Sequence, residues 1–210
     1  MTRLVLASTS PARLSLLRAG GIEPVTISPE VDEDAVGARA QSMGLISNPQ
    51  DLVLLLAKAK AEAVVSHPEA QNAIIIGCDS ALEFGGKTLG KPHLPEVARA
   101  RWMELRGSSG TLHSGHWLID NRTGATMPPA TGKTSSTVVH FANISDGEID
   151  AYVATGEPLK VAGAFTVDSL GGAFISRIEG DTHTVIGLSL PTLRELSLVL
   201  GVEYTSYWNR

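Results

Sequence analysis

Asp79 is the residue best placed to do chemistry. It follows the continuous apolar run Ala73-Ile-Ile-Ile-Gly-Cys78, which has the character of a strand buried on both faces. A carboxylate at the C-terminal end of such a strand sits where α/β proteins place their ligands. Partial burial raises its pKa unless a cation or a metal holds it ionised, and either state serves a general base. The acidic stretch Asp32-Glu33-Asp34 brings Glu33 as an oxygen ligand for a hard cation such as Mg²⁺, which binds one or two carboxylates together with substrate phosphate. Lys60 and Lys91 are partners for phosphate, Lys91 within Gly90-Lys91-Pro92 at the exit of a hairpin. At the start of the chain, Ser8-Thr9-Ser10 stands between an apolar run and a helix pattern. Unpaired N–H groups beside the positive end of a helix dipole make an anion cradle, and Arg13 falls in the first turn.

The elements that must hold these groups can be read along the chain. Arg3 to Ala7 has strand length, and Ser10 caps a helix that begins at Pro11 and closes at Gly20-Gly21. Glu23 to Ser28 reads as a second strand. Polar and small residues then run from the acidic triplet to Ser47 as a loop. Asn48-Pro49 starts a long helix that carries Leu52 to Val65 and stops near His67-Pro68. Within it Lys58 and Lys60 point about 200° apart and cannot face one site. The strand before Asp79 is followed by a hairpin, Ala81 to Phe84 and Lys87 to Leu89, turning at Gly85-Gly86. A helix from Pro95 to Arg106, strands over Thr111 to Asp120 and Thr134 to Ala142, and a capping box at Ser145-Asp-Gly-Glu148 come next. The glycine-rich Ala162 to Phe165 leads to a strand from Ala173 to Ile178, and a last helix spans Pro191 to Leu200. Alternating strands and helices with added hairpins define an α/β fold with a mixed, twisted central sheet and flanking helices.

The composition narrows the function classes. With 210 residues and 43% hydrophobic content, the chain can bury a full core as a single domain over 1–210, an arrangement that includes two lobes with a cleft between them. No apolar run reaches membrane length and no signal peptide opens the chain, so a cytoplasmic protein is expected. The net charge of −5 speaks against a nucleic-acid surface. It divides into −1 over residues 1–107 and −4 over 108–210, which places anion binding in a local site, preferably in the first half. One cysteine excludes a disulfide framework, and Cys78 should point away from Asp79 as a buried thiol. Gly132-Lys133-Thr134 and Gly86-Lys87-Thr88 lack the first glycine of a P-loop. His113 and His116 lie on opposite faces of a strand, and no cysteine pair completes a zinc site.

Together these stretches resemble the Maf proteins, nucleoside triphosphate pyrophosphatases of the same broad fold group as inosine triphosphate pyrophosphatases. The matching segments are Leu6-Ala-Ser-Thr-Ser-Pro-Ala-Arg13, Asp32-Glu33, Leu56-Ala-Lys-Ala-Lys60-Ala61, Gly77-Cys-Asp79-Ser80, Gly90-Lys-Pro92, Gly163-Ala-Phe165, and Gly180-Asp181 with Gly187-Leu188. The resemblance implies hydrolysis of a nucleoside triphosphate to monophosphate and pyrophosphate with Mg²⁺ or Mn²⁺, and a link to septum formation. Carried over by position, Asp79 is the general base and a metal ligand, Glu33 a second metal ligand, and Ser8, Ser10, Arg13, Lys60 and Lys91 the phosphate contacts. The chain departs from the family pattern at several positions. Ala12 stands for an arginine, Ser80 for a threonine, Asp168 for a glutamine and Val161 for a lysine. Ser108 aligns with a further arginine. Ala12, Ser80 and Asp168 align with positions that separate the branches by substrate, so the preferred base does not transfer. Loss of the charges at 12 and 161 keeps an alternative in view, a non-enzymic nucleotide-binding regulator of cell division. The expected partner is a nucleoside triphosphate, with no nucleic acid and no membrane, and a homodimer is compatible with all of these features.

Overall fold

The first apolar run folds as a strand, β1 (Leu4–Ala7), buried throughout. Ser10 then caps α1 (Pro11–Ala19), its hydroxyl accepting the Arg13 N–H, and Gly20 ends the helix. The computed structural model describes residues 1–209. After β2 (Val25–Ile27), the segment expected as a loop is instead a helix, α2 (Glu33–Ser42). Asp32 is its N-cap, accepting the Ala35 N–H at 2.9 Å. The helix buries Ala40 alone, so it has no apolar stripe for periodicity to reveal. α3 (Pro49–Ala63) is capped by Asn48.

A second difference concerns β3 (Ile74–Phe84). The strand does not end before Asp79 but runs through it for five more residues, into the antiparallel pair with β4 (Lys87–Leu89). What ends is its neighbour. The parallel register of β1 with β3 stops at Ala7 opposite Gly77, so Asp79 lies just past the last paired residue. There follow α4 (Pro95–Leu105), β5 (Ser109–Asp120), β6 (Ala130–Phe141), α5 (Asp146–Ala154) with the expected capping box, and β7 (Ile175–Glu179). The short α6 (Thr182–Ile186), which carries too few residues for a periodic pattern, and α7 (Leu190–Val199) follow, and a 3-10 turn spans Tyr204–Tyr207. The strands form one sheet in the order β2-β1-β3-β5-β6-β7, with β4 on β3. Parallel pairs at β1–β2 and β1–β3 and antiparallel pairs at β3–β4 and β6–β7 make it mixed. The fold is α/β. Among the described residues no helix is long and apolar enough to cross a membrane.

The chain divides into two compact units. Unit 1 comprises Met1–Asp79, Ser114–Ser135 and Gly187–Arg210. In its core Val5, Ala7, Ile75 and Ile119 meet Ala61 and Val64. Here α3 presses onto the strands through two glycines. A Cβ on Gly77 would fall 2.1 Å from the Ala57 carbonyl oxygen and 2.7 Å from the Ala61 nitrogen, and one on Gly115 2.2 Å from the Val53 carbonyl.

Unit 2 comprises Ser80–His113 and Ser136–Ile186. Trp102 is fully buried in its core. The indole N–H donates to the Ala164 carbonyl at 2.7 Å, and the ring meets Phe141, Tyr152 and Phe174 edge-on at 5.5 to 5.8 Å, the arrangement aromatic quadrupoles favour. Gly163 has φ +71°, and a Cβ there would lie 2.8 Å from Leu82, so the glycine of Gly163-Ala-Phe165 serves the packing of this core. The 166–171 segment is gathered on Glu157. Its carboxylate accepts from the hydroxyls of Tyr152, Thr166 and Ser169 and from the N–H groups of Leu170 and Gly171. Burial pushes this carboxyl up, but the donors from Thr166, Ser169, Gly171 and Tyr152 outweigh it and hold the group down at about 2.

Two expectations follow. Gly77→Ala forces α3 off β3 and should lower stability by about 1–3 kcal/mol or more in urea unfolding. Because the folded pKa of Glu157 is depressed, its contribution is complete above the ordinary value of 4.5 and is lost as pH falls through about 2. Thermal melts between those values should therefore decline less steeply in Glu157→Gln than in the parent chain.

Candidate active site

The close approach at Gly77 sets the site in unit 1. Residues 75, 77 and 79 of β3 share a face, and that face meets α3 at Ala57 and Ala61. Lys60 precedes Ala61 and therefore projects beside Asp79. Its ammonium lies 2.6 Å from Asp79 Oδ1 and 2.8 Å from Glu33 Oε1. One cation thus bridges a carboxylate from the sheet and one from the first turn of α2. The Lys60 and Asp79 side chains are 7% and 12% exposed, whereas Glu33 is 45% exposed. The bridge is therefore buried at the strand and open at the helix. Lys58 behaves as its angle around the axis requires. It pairs with Glu62 at 3.8 Å and lies 5.1 Å over the Trp117 ring.

Burial is the largest influence on Asp79 and pushes its carboxyl above the usual range. Lys60 and Arg13 pull it down, Glu33 pushes it up, and the net displacement is upward. Burial likewise pushes the Cys78 thiol up to about 12, against the pull of Arg13 and Lys60, so this cysteine stays protonated and is a poor nucleophile.

The residues expected to form an anion cradle meet at the start of α1. The Ser8 hydroxyl accepts the Ser10 N–H at 3.2 Å, and the Ser10 hydroxyl caps α1. The Arg13 guanidinium is buried and anchored. Nε donates to the Gly187 carbonyl at 2.8 Å, and Nη1 donates to the Cys78 carbonyl at 2.9 Å and to the Ser8 hydroxyl at 3.2 Å. A planar fork with donors on separate nitrogens can hold acceptors from several chain segments in one fixed geometry. These contacts join the cradle to the residue before Asp79. The Gly187 carbonyl was invisible as a partner in the sequence because it lies 174 residues away.

Ser8, Ser10, Arg13, Glu33, Lys60 and Asp79 all belong to unit 1, as does Ala12, half-buried in the first turn of α1. Ser80, Lys91 and Asp168 belong to unit 2. Ser80 is half-buried, and Lys91 and Asp168 are exposed. The Gly90 carbonyl accepts from Arg101 and from the Gly163 N–H, which ties the Gly90-Lys91 exit to the core segment around Ala164. The two histidines dismissed as zinc ligands have separate attachments. His116 accepts the Ser189 N–H at 2.7 Å in unit 1, and His113 is held between Glu83 and Ser136 in unit 2.

An α/β protein with hydroxyls at the start of its first helix and a buried lysine linking two carboxylates carries groups able to receive an anionic ligand. The chain is a member of the Maf-like protein family, whose sequence profile matches residues 3–198. A nucleoside triphosphate pyrophosphatase of Leifsonia xyli subsp. xyli is 55% identical over 210 residues, covering 99% of this chain and 97% of that protein. Those of Nocardia farcinica and Streptomyces coelicolor are 51% and 50% identical, each covering 98% of this chain and 96% and 94% of their own. Among solved structures, the Ham1 protein of Staphylococcus aureus aligns over 99% of this chain and 94% of its own, with a TM-score of 0.41 and 11% identity. That likeness is too slight to carry an argument.

Removing Lys60 would leave Asp79 buried beside a like charge. Lys60→Ala should cost about 3 kcal/mol in urea unfolding at neutral pH. Adding Asp79→Asn should recover part of that loss, since the two side chains are coupled. Strictly additive costs would show that they are not.

Proposed function

We propose that the chain hydrolyses nucleoside triphosphates to the nucleoside monophosphate and pyrophosphate. The observation that carries this reading is the Glu33–Lys60–Asp79 bridge, and the names of relatives about half identical over nearly their full length support it. An upward-shifted carboxyl is a stronger base toward water than an ordinary one. In this scheme Asp79 takes a proton from water as the oxygen attacks the α-phosphorus. The bond from that phosphorus to the bridging oxygen breaks, and the electron pair leaves with pyrophosphate. Arg13 and Lys60 supply positive charge where the leaving group's charge gathers. Ser8, Ser10 and the start of α1 take phosphate oxygens.

The donor set also fits a divalent cation. Glu33 and Asp79 offer hard carboxylate oxygens that already converge on one cation, the Lys60 ammonium. Among the described residues no group of three or more His, Cys, Asp or Glu side chains gathers. Mg²⁺ or Mn²⁺ held by these two residues would thus complete its shell with water and phosphate oxygens, as small hard cations do. Its contribution when bound is neutralisation of the triphosphate charge. Lys91 as a phosphate contact, and Ala12, Ser80 and Asp168 as selectors of the base, enter this reading through the family resemblance alone. A triphosphate with a modified or non-standard base is the substrate we favour, since those three positions depart from the family pattern.

A panel of standard and modified nucleoside triphosphates, with Mg²⁺ or Mn²⁺ and separate assays for pyrophosphate and orthophosphate, tests the proposal. Pyrophosphate should be released from at least one of them. Asp79→Asn should lower that rate by about 10²–10⁴-fold. Release of orthophosphate alone, or undiminished turnover by the variant, would overturn it.

A further inference from the structure

Unit 2 holds a second constellation, which pyrophosphate release does not use. His113 on β5 is 1% exposed, and both ring nitrogens are engaged. Nδ1 lies 2.7 Å from the Ser136 hydroxyl on β6, and Nε2 lies 3.0 Å from Glu83 Oε2 on β3. In the sheet β5 runs between β3 and β6, so the three side chains form one row across neighbouring strands. An ionised carboxylate can only accept, so Nε2 carries the imidazole proton and donates it to Glu83. In the neutral ring Nδ1 is then the acceptor, and Ser136 donates its hydroxyl hydrogen to it. The wiring therefore runs from a hydroxyl to an imidazole to a carboxylate. The ends of the row are open, with Ser136 exposed and the Glu83 side chain 39% exposed, and the middle is closed to water.

We propose that Ser136 is an activated nucleophile that takes acyl groups from activated carboxylic esters, with His113 as its general base and Glu83 as the positioning residue. Serine, histidine and carboxylate in this order recur on unrelated folds and are recognised by geometry, not by place in the sequence. Here the imidazole is turned over relative to the common arrangement, with Nδ1 facing the hydroxyl. All three residues stand on strands, which hold such geometry better than loops do. In the reaction the Ser136 oxygen bonds to the carbonyl carbon as its proton passes to His113 Nδ1. Glu83 balances the imidazolium from the far side of the ring. The bond from the carbonyl carbon to the leaving oxygen breaks, and that oxygen takes the proton from His113. Water then attacks the acyl carbon from the exposed Ser136 side, passing its proton to His113 Nδ1; the acyl carbon–Ser136 oxygen bond breaks, the Ser136 oxygen takes that proton back, and the carboxylic acid is released. No spacing along the chain signals this row, because its members come from strands that only the sheet makes neighbours.

A fluorophosphonate probe tests the proposal on the full chain, forming a Ser136 oxygen–phosphorus bond with loss of fluoride; peptide mass spectrometry locates the adduct, and p-nitrophenyl acetate hydrolysis gives turnover. A single adduct on Ser136 is expected, absent in Ser136→Ala and present at the parent rate in Ser135→Ala, whose side chain points to the opposite face of the strand. His113→Gln should slow labelling by about 100-fold or more. Glu83→Gln should lower the maximal labelling rate by about tenfold or more while leaving the half-saturating probe concentration unchanged, a split that a loss of structure alone does not produce. Should the buried His113→Gln fail to fold, as judged by thermal melting, the half-exposed Glu83→Gln decides the matter. No adduct on Ser136 in the folded parent chain, or parent-rate labelling in Glu83→Gln, would overturn the assignment.

Discussion

A buried ammonium between two carboxylates is the constraint on which the candidate site of unit 1 depends. Lys60 meets Asp79 at 2.6 Å with both side chains nearly excluded from water. Such a charge persists in the interior only when it is paired and hydrogen-bonded. The pairing in turn depends on backbone proximity. Without the bare Cα of Gly77, α3 would stand away from β3, and the lysine would reach Asp79 at a different height. A side-chain interaction is thus fixed by the absence of a side chain two residues earlier.

The same site shows how a strand end can be made without ending the strand. β3 continues past Asp79, but β1 stops at Ala7, so the carboxylate gains a partly open flank while its own backbone stays in a ladder. Arg13 braces that flank from the other chain segments. It uses its fork on the Cys78 and Gly187 carbonyls and on Ser8, which links the cradle before α1 to the backbone next to Asp79. The positive charge of the guanidinium therefore stands near the carboxylate by construction and helps to limit the upward displacement that burial imposes.

Unit 2 is organised by different means. A single tryptophan gathers three aromatic rings and one backbone carbonyl, and a single carboxylate, Glu157, collects the donors of the 166–171 segment. Both are hubs that use one residue to order a stretch of short 3-10 turns and loop, where no long ladder or α-helix satisfies the backbone.

Local chemistry was legible in the sequence by itself. The cap at Ser10, the capping box at Ser145, the buried isoleucine run and the opposite directions of Lys58 and Lys60 all follow from neighbours a few residues apart. So do the types of groups at the site, a carboxylate after an apolar run and hydroxyls before a helix. The residues that break a local pattern without leaving one of their own were not legible. α2 has no apolar stripe, and the continuation of β3 through Asp79 hides behind a polar residue in a strand. The tertiary structure alone decided that Lys60 bridges Glu33 and Asp79, that Arg13 reaches Gly187, and that His113 lies between Glu83 and Ser136. Each of these depends on which strands and helices become neighbours, and that is set by the burial of apolar faces over the whole chain, not by spacing along it.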